Sequence, residues 1–287
     1  MTKFNYKLAC THAGTFHADD VFSAALLKLI NPDINIIRKN DICNINSDCL
    51  IFDIGGGKFD HHQFDAEYRD NGKKYASFGL LWREFSHLIV SSPAVIYNID
   101  EKFIQPLDES DNFGYSNSYS DIVASFNFTW LEKENISDLE VYESENDKRF
   151  NSAVEVAIAI LKRVIKKEEA NVEASKYVKK TFDESDDKEI IVLEKSLPWK
   201  ETLIETSAIY VVYPSSRGGW NAQVVPAEYK SPVAKKDFPY NWAGLRNDEL
   251  EKECGIKDAV FCHSSLFMCA ANTKEAAISL CQKALKS

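Results

Sequence analysis

The chain lacks any long hydrophobic run. No stretch approaches the ~18 apolar residues that a membrane-spanning helix requires, so no membrane association is expected. It also lacks a basic surplus: 34 Lys and Arg stand against 44 Asp and Glu, for a net charge of −10. That balance excludes a basic coat for nucleic acid, and contact with a polyanion would need a local patch or metal ions. No Cys-x-x-Cys pair occurs among the seven cysteines, and several of them sit in apolar runs. They read as reduced, buried thiols of an intracellular protein rather than as a disulfide framework. The start, Met1-Thr-Lys-Phe-Asn-Tyr-Lys7, has neither a signal-peptide core nor an Arg- and Ser-rich transit segment, so a cytoplasmic location is expected. Internal repeats and low-complexity segments are missing too.

What is present is enough for a full core. Hydrophobic residues make up 45% of 287, which suits one large or two medium domains. The most informative stretch is Asp53-Ile-Gly-Gly-Gly-Lys-Phe-Asp60-His61-His62-Gln63. It follows the apolar run Cys49-Leu-Ile-Phe52, which reads as a short buried strand. Carboxylate oxygens and imidazole nitrogens in one loop suit a divalent metal such as Mn, Zn or Fe(II). Read alone, the loop is equally an exposed polar turn with a tight glycine bend.

A second acidic and histidine-bearing stretch strengthens the metal reading. Leu8-Ala-Cys10 ends a first strand, and Thr11-His12-Ala-Gly-Thr-Phe-His17-Ala-Asp19-Asp20 follows it. The apolar segment Val21–Ile30 then predicts a buried helix, with Asp19 and Asp20 near its N-terminus, where Asp20 also reads as a cap. Strands are predicted at 34–37 and 50–53, so the pattern is strand, helix, strand, strand. That order suggests a parallel α/β sheet, whose functional groups collect at the carboxyl ends of strands. Helices are predicted over 76–90 and 95–111. His87 reads as an ordinary helix histidine. Asp108 and Asp111 lie three apart at a helix C-terminus, where acidic residues oppose the macrodipole and a metal would account for them. One long helix or two are predicted from Phe150 to Phe182, with a polar break over 183–187. Strands at 189–193, 208–213, 220–225 and 259–263 and helices at 248–254 and 273–285 then predict a smaller α+β domain. The resulting division is 1–185 and 186–287.

His12, His17-Ala-Asp19-Asp20, Asp53, Asp60-His61-His62 and Asp108…Asp111 resemble the four motifs of the DHH phosphoesterase superfamily, which includes RecJ-like exonucleases, nano-RNases and manganese inorganic pyrophosphatases. A closer resemblance is to the melanocyte-proliferating-gene family of DHH-related, metal-dependent 3′–5′ RNA exonucleases. Its motifs resemble Gly14–Asp19, Asp53–Gln63, Ser110–Gly114, Pro198–Lys200 and Gly244–Arg246 of this chain. Near the C-terminus the chain departs from that family: where the family has His-Ala-Ser-Gly-Phe followed by glycines, it carries His263-Ser-Ser-Leu266-Phe267. Bulky groups there are expected to narrow a substrate-side loop.

The resemblance implies a DHH-like parallel-sheet catalytic domain and a smaller substrate-binding domain. It implies two divalent ions, Mn2+ first, with Mg2+ or Zn2+ as alternatives. His12, His17 and Asp53 would hold one ion, and Asp19, Asp53, His61 and Asp111 the other, with Asp108 as the substitute for Asp111. A hydroxide activated by the two metals would attack a phosphodiester of RNA or a short oligonucleotide. His62 would touch the phosphate or protonate the leaving group, and Asp60 would orient a histidine. Arg217, Lys200, Arg246 and His263 are the candidates for holding a phosphate, and a homodimer is compatible with the reading. The competing readings are a pyrophosphatase or cyclic-dinucleotide phosphodiesterase using the same centre, a metal-binding protein without catalysis, and a purely structural α/β protein.

Overall fold

In the computed structural model, residues 4–43, 45, 47–228 and 231–287 are described; residues 1–3 of the start read above lie outside them. Their contacts separate into two units, Met1–Glu169 and Ala170–Ser287.

The first unit is built on three short strands. β1 (Leu8–His12) pairs in parallel with β2 (Asn35–Lys39) and with β3 (Leu50–Ile51), giving the order β2-β1-β3. The parallel sheet is therefore as expected. Between β1 and β2 runs α1 (Ala18–Ile30), whose Val21, Phe22, Ala24, Ala25, Leu26 and Leu27 are all fully buried. Apolar residues on every side of α1 require cover all round, and α2 (Ser77–Phe85) supplies part of it: Phe22 stacks on Phe78 with ring centroids 5.6 Å apart. α3 (Pro93–Ile99) continues through a π-type turn (Asp100–Ile104) into α4 (Gln105–Phe113), and Gly114 ends α4 in the left-handed conformation. Two short helices, α5 (Ser118–Ala124) and α6 (Trp130–Glu134), precede α7 (Leu139–Glu184). The long helix predicted over 150–182 thus starts eleven residues earlier, because the acidic segment before it is helical as well.

The second unit holds the last turns of α7 and a five-stranded sheet, ordered β4-β5-β6-β8-β7. Its strands are β4 (Ile190–Val192), β5 (Tyr210–Pro214), β6 (Trp220–Val224), β7 (Ala259–Cys262) and β8 (Met268–Ala271). β4 and β5 are parallel and the other pairs antiparallel. Side chains alternate between two cores, as a strand's period of two requires. Tyr210 and Val212 face a core with Leu280, Cys281 and Ala284 of α10 (Lys274–Lys286) and Leu250 of α9 (Asn247–Cys254); Val211 faces another with Val178, Trp199 and Leu203. The last two lie at and in α8 (Lys200–Leu203).

One expectation changes here. The stretch after Cys262 is a hairpin turn into β8, a strand whose mixed Met-Cys-Ala-Ala sequence gave no alternation to read. Leu266 sits at the glycine-like position of that turn, with φ +58°, and its side chain packs against the second unit's core. Among the described residues no helix is long and apolar enough to cross a membrane. Of the cysteines, Cys43 is exposed and the other six are buried.

Candidate metal centre

The polar residues gather where the parallel strands end. β1 delivers His12, and the chain then turns through Gly14 into α1. The Gly14 carbonyl accepts from Arg38 Nη2 and from Asn146 Nδ2, each at 2.6 Å, which anchors the turn. Asp20 closes the first turn of α1 by accepting the His17 N–H at 2.9 Å. β3 delivers Asp53, held at φ +57° by a bond from its N–H to the Phe59 carbonyl. A left-handed aspartate at a strand end is a strained position of the kind retained at functional sites. The glycines that follow make the return possible: Gly55 has φ +89°, and a Cβ there would lie 2.3 Å from Ile42 Cδ1. The loop then comes back to place Asp60, His61 and His62.

Three overlapping groups have donor atoms close enough to share an ion: Asp53 with His61 and His62, His12 with Asp20 and Asp53, and Asp19 with His61 and Asp111. Asp53 and His61 each belong to two of them. His12 Nε2 lies 3.3 Å from both Asp20 Oδ2 and Asp53 Oδ2. His61 Nε2 lies 3.1 Å from Asp53 Oδ1, 3.3 Å from Asp111 Oδ2 and 4.0 Å from Asp19 Oδ2. Asp19 accepts the Ser77 and Phe78 N–H groups at 3.0 and 2.8 Å, so it also caps α2.

The electrostatics are those of carboxylates crowded together with too few cations. Burial and the charges of Asp53, Asp111 and Asp108 push Asp19 well above the ordinary carboxylate range. Burial likewise raises Asp20, to about 7, and Asp111. Burial would lower His12, but its bond to Asp53 and the charge of Asp20 outweigh it and raise the imidazolium to about 9. His61 is raised through Asp53 and Asp111 against the same cost of burial. Asp53, by contrast, is held low, because its two histidine partners outweigh its burial. Asp20 Oδ2 is buried without a hydrogen bond. A divalent cation would supply the positive charge that these crowded oxygens and nitrogens lack, and the hard-oxygen and imidazole donor set fits such an ion.

The expected residues fall into three sets. Asp19, Asp53, His61 and Asp111 come together, as does His12. His17 lines the same cavity, its ring centroid 6.0 Å from that of His12, but stays outside the three groups; Asp20 stands in the place proposed for it. The sign of Asp20 in the sequence was its adjacency to Asp19, which its capping position masked. Asp108 is fully buried against Arg69, Oδ2 to Nη2 at 2.7 Å, and belongs to none of the groups. Asp60 accepts from His62 Nδ1 at 2.7 Å and from the Gly56 N–H at 2.7 Å, leaving a His62 side chain 64% exposed.

In the second unit, Arg217 is exposed in the β5–β6 turn, and Lys200 is exposed at the start of α8. Arg246 lies over the Phe261 ring at 4.4 Å. His263 accepts the Ser265 N–H at 3.0 Å and packs on Phe267. Arg217 and His263 lie at opposite ends of β6: Trp220 adjoins the Arg217 turn, while Val224 donates its N–H to the Phe267 carbonyl.

A parallel α/β sheet with overlapping carboxylate and imidazole groups at its strand ends defines a candidate metal-binding protein. The comparisons are narrower. Residues 8–285 match the family described as MYG1_exonuc, an uncharacterised protein family (UPF0160), and the chain belongs to that family. It is 28% identical to a MYG1 protein of Caenorhabditis elegans, over 96% of this chain and 94% of the other. It is 27% identical to the human MYG1 exonuclease, over 96% and 85%, and 27% identical to a Chlamydia pneumoniae MYG1 protein, over 96% and 94%. No solved structure matches.

Proposed function

We propose that the protein is a metal-dependent phosphodiesterase of the DHH type that removes nucleotides from the 3′ end of RNA or short oligonucleotides. The observation that carries this reading is the sharing of Asp53 and His61 between adjacent donor groups at the ends of the parallel strands. The names of the human and bovine relatives, MYG1 exonuclease, support the same class of reaction. Two divalent ions, Mn2+ first, would be held by His12, Asp20 and Asp53 on one side and by Asp19, Asp53, His61 and Asp111 on the other. Ions so held supply Lewis acidity toward a phosphoryl oxygen and lower the pKa of water toward about 7.

The chain's own residues do the rest. Asp53 lies between both sets of ligands and keeps them in register. His62 holds its Nδ1 toward Asp60 and presents Nε2 at an exposed position, where it can hand a proton to the leaving oxygen. Asp60 fixes that ring through two bonds of its own, from the His62 Nδ1 and the His62 N–H. The catalytic part is residues 1–185 and the part that contacts substrate is 186–287. An acidic chain can take an anionic substrate in this way because the ions cancel the local carboxylates.

The test is hydrolysis of a 5′-labelled short RNA with Mn2+ by wild type and by the Asp53→Ala, His61→Ala double variant. Shortening from the 3′ end by wild type alone is expected, and equal cleavage by both would sink the assignment. Pyrophosphate and a cyclic dinucleotide belong in the same panel, since the centre's chemistry does not separate phosphoanhydride from phosphodiester.

A further inference from the structure

His61 has a proton to place, and the side chain that decides where is Asn112. Asn112 follows Asp111 on α4. Its Nδ2 donates to the Tyr75 carbonyl at 3.1 Å and to the Asp108 carbonyl at 2.9 Å. Both amide hydrogens are thereby committed. Turning the amide over would set its oxygen against two carbonyl oxygens, so its orientation follows from chemistry. The Asn112 Oδ1 therefore faces His61 Nδ1, at 3.1 Å. An acceptor with no hydrogen of its own requires Nδ1 to carry the proton. Nε2 is then the nitrogen that gives up its proton when a cation displaces it, and it is the one that faces Asp53, Asp111 and Asp19.

We propose that Asn112 is a positioning residue that holds His61 in its Nδ1–H tautomer and so reserves Nε2 for a divalent cation. The inference rests on the metal reading given above. Next to His61, His62 makes the contrast: its Nδ1 meets a carboxylate, Asp60, whereas that of His61 meets a neutral amide. An amide fixes the tautomer without adding negative charge to a centre that already gathers Asp19, Asp20, Asp53 and Asp111. Asn112 is itself held from behind. The Asp108 carbonyl it binds is one helical turn back, and the Asp108 side chain is clamped by Arg69, which also binds Asp100 at 2.7 Å.

The test uses the full chain as wild type, Asn112→Leu and Asn112→Asp. Two-bond proton–nitrogen correlation spectra report which His61 nitrogen carries hydrogen, with and without Zn2+ as a diamagnetic probe, and calorimetry measures Mn2+ binding. Wild type is expected to carry a proton on Nδ1 in both states, with Nε2 also protonated toward Asp53 without metal and stripped of its proton by Zn2+. Asn112→Leu should populate the Nε2–H form without metal and bind Mn2+ about 10–100-fold more weakly. Asn112→Asp keeps an acceptor opposite Nδ1 when its other oxygen holds a proton and donates it to the Tyr75 or Asp108 carbonyl in place of Nδ2, and in that form it should keep the proton on Nδ1 and Mn2+ affinity within a few-fold of wild type. If Asn112→Leu does not fold, the aspartate variant decides: a folded Asn112→Asp protein with no proton on His61 Nδ1, or with Mn2+ binding weakened tenfold or more, overturns the proposal. If wild type binds Mn2+ and Asn112→Leu binds it as tightly with His61 still Nδ1–H, only the role of Asn112 falls. If wild type binds no Mn2+, the metal reading falls and this inference with it.

Discussion

The two units carry their charged groups in different ways. In the first, His12, His61, Asp19, Asp20, Asp53 and Asp60 are each tied to at least one other polar group, and the aspartates among them are buried. In the second, Arg217, Lys200 and Arg246 are exposed, and the first two lie in a turn and at a helix start. The contrast follows from what each kind of binding needs. A metal ion is held by several donors at short, fixed distances, so the donors must be set before it arrives. A phosphate attracted by a cation tolerates a flexible side chain and a longer approach.

The largest expected effect breaks the first unit's centre at its shared member. Asp53→Ala removes a donor from two of the three groups, and Mn2+-dependent hydrolysis should fall by at least about 10^3-fold. Arg217→Ala should cost less than about tenfold in the same assay, since its guanidinium is exposed and free to be replaced by solvent or a neighbour. Equal losses would erase the distinction between fixed and loosely held charge.

Stability should show the same difference. A Cβ on Gly79 would stand 2.1 Å from Asp108 Oδ2 and 2.6 Å from Arg69 Nη2, inside a buried ion pair. Gly79→Ala should therefore cost about 3–5 kcal/mol in urea unfolding. Gly218, at φ +91° in the β5–β6 turn, has open space around it, and Gly218→Ala should cost only about 1–2 kcal/mol of backbone strain. A Gly79→Ala protein as stable as Gly218→Ala would mean that the Arg69–Asp108 pair is not rigid.

How much of this was legible depended on sequence spacing. His12, His17, Asp19, Asp53 and His61 could be brought to one edge because a strand-helix-strand-strand pattern sends the ends of successive parallel strands there, whereas Asp111, near the end of a helix, joined them through the family resemblance. Asp20 and Asp108 could not be sorted by the same means. A cap and a ligand look alike in the first turn of a helix, and the partner that takes Asp108 away is Arg69, 39 positions back. Asn112 gave no sign of its own, since a hydrogen bond to a ring nitrogen 51 positions away leaves no local pattern. β8 was hidden for a different reason: Met-Cys-Ala-Ala carries no alternation, and its pairing between β6 and β7 is set by the tertiary fold.

The response to pH should be a smaller effect, and it has a sign. His12 rises from an ordinary 6.5 to about 9 in the fold, because the bond to Asp53 and the charge of Asp20 outweigh its burial. A raised histidine stabilises fully below pH 6.5 and loses that contribution as the pH climbs through about 9. The metal-free protein should thus lose on the order of 2–3 kcal/mol of unfolding free energy across pH 6.5–9. Saturating Mn2+ should flatten the loss, since the cation takes the proton's place among the same carboxylates. A metal-free stability that does not fall between pH 6.5 and 9 would show that His12 is not paired in solution.

The smallest effect is a coupling energy, and it bears most directly on whether the second unit has a preformed site. Arg217 and His263 flank opposite ends of β6, a strand of five residues whose four steps span about 14 Å. Side chains so separated and sharing no partner should act independently. The loss in hydrolysis caused by Arg217→Ala, His263→Ala should equal the sum of the single losses to within about 0.5 kcal/mol. Asp53 and His61 are 3.1 Å apart and serve a common group, so their double variant should lose little more than Asp53→Ala alone. If Arg217 and His263 proved as strongly coupled as Asp53 and His61, the two would have to grip one substrate group together, and the loosely held cations of the second unit would be a built site after all.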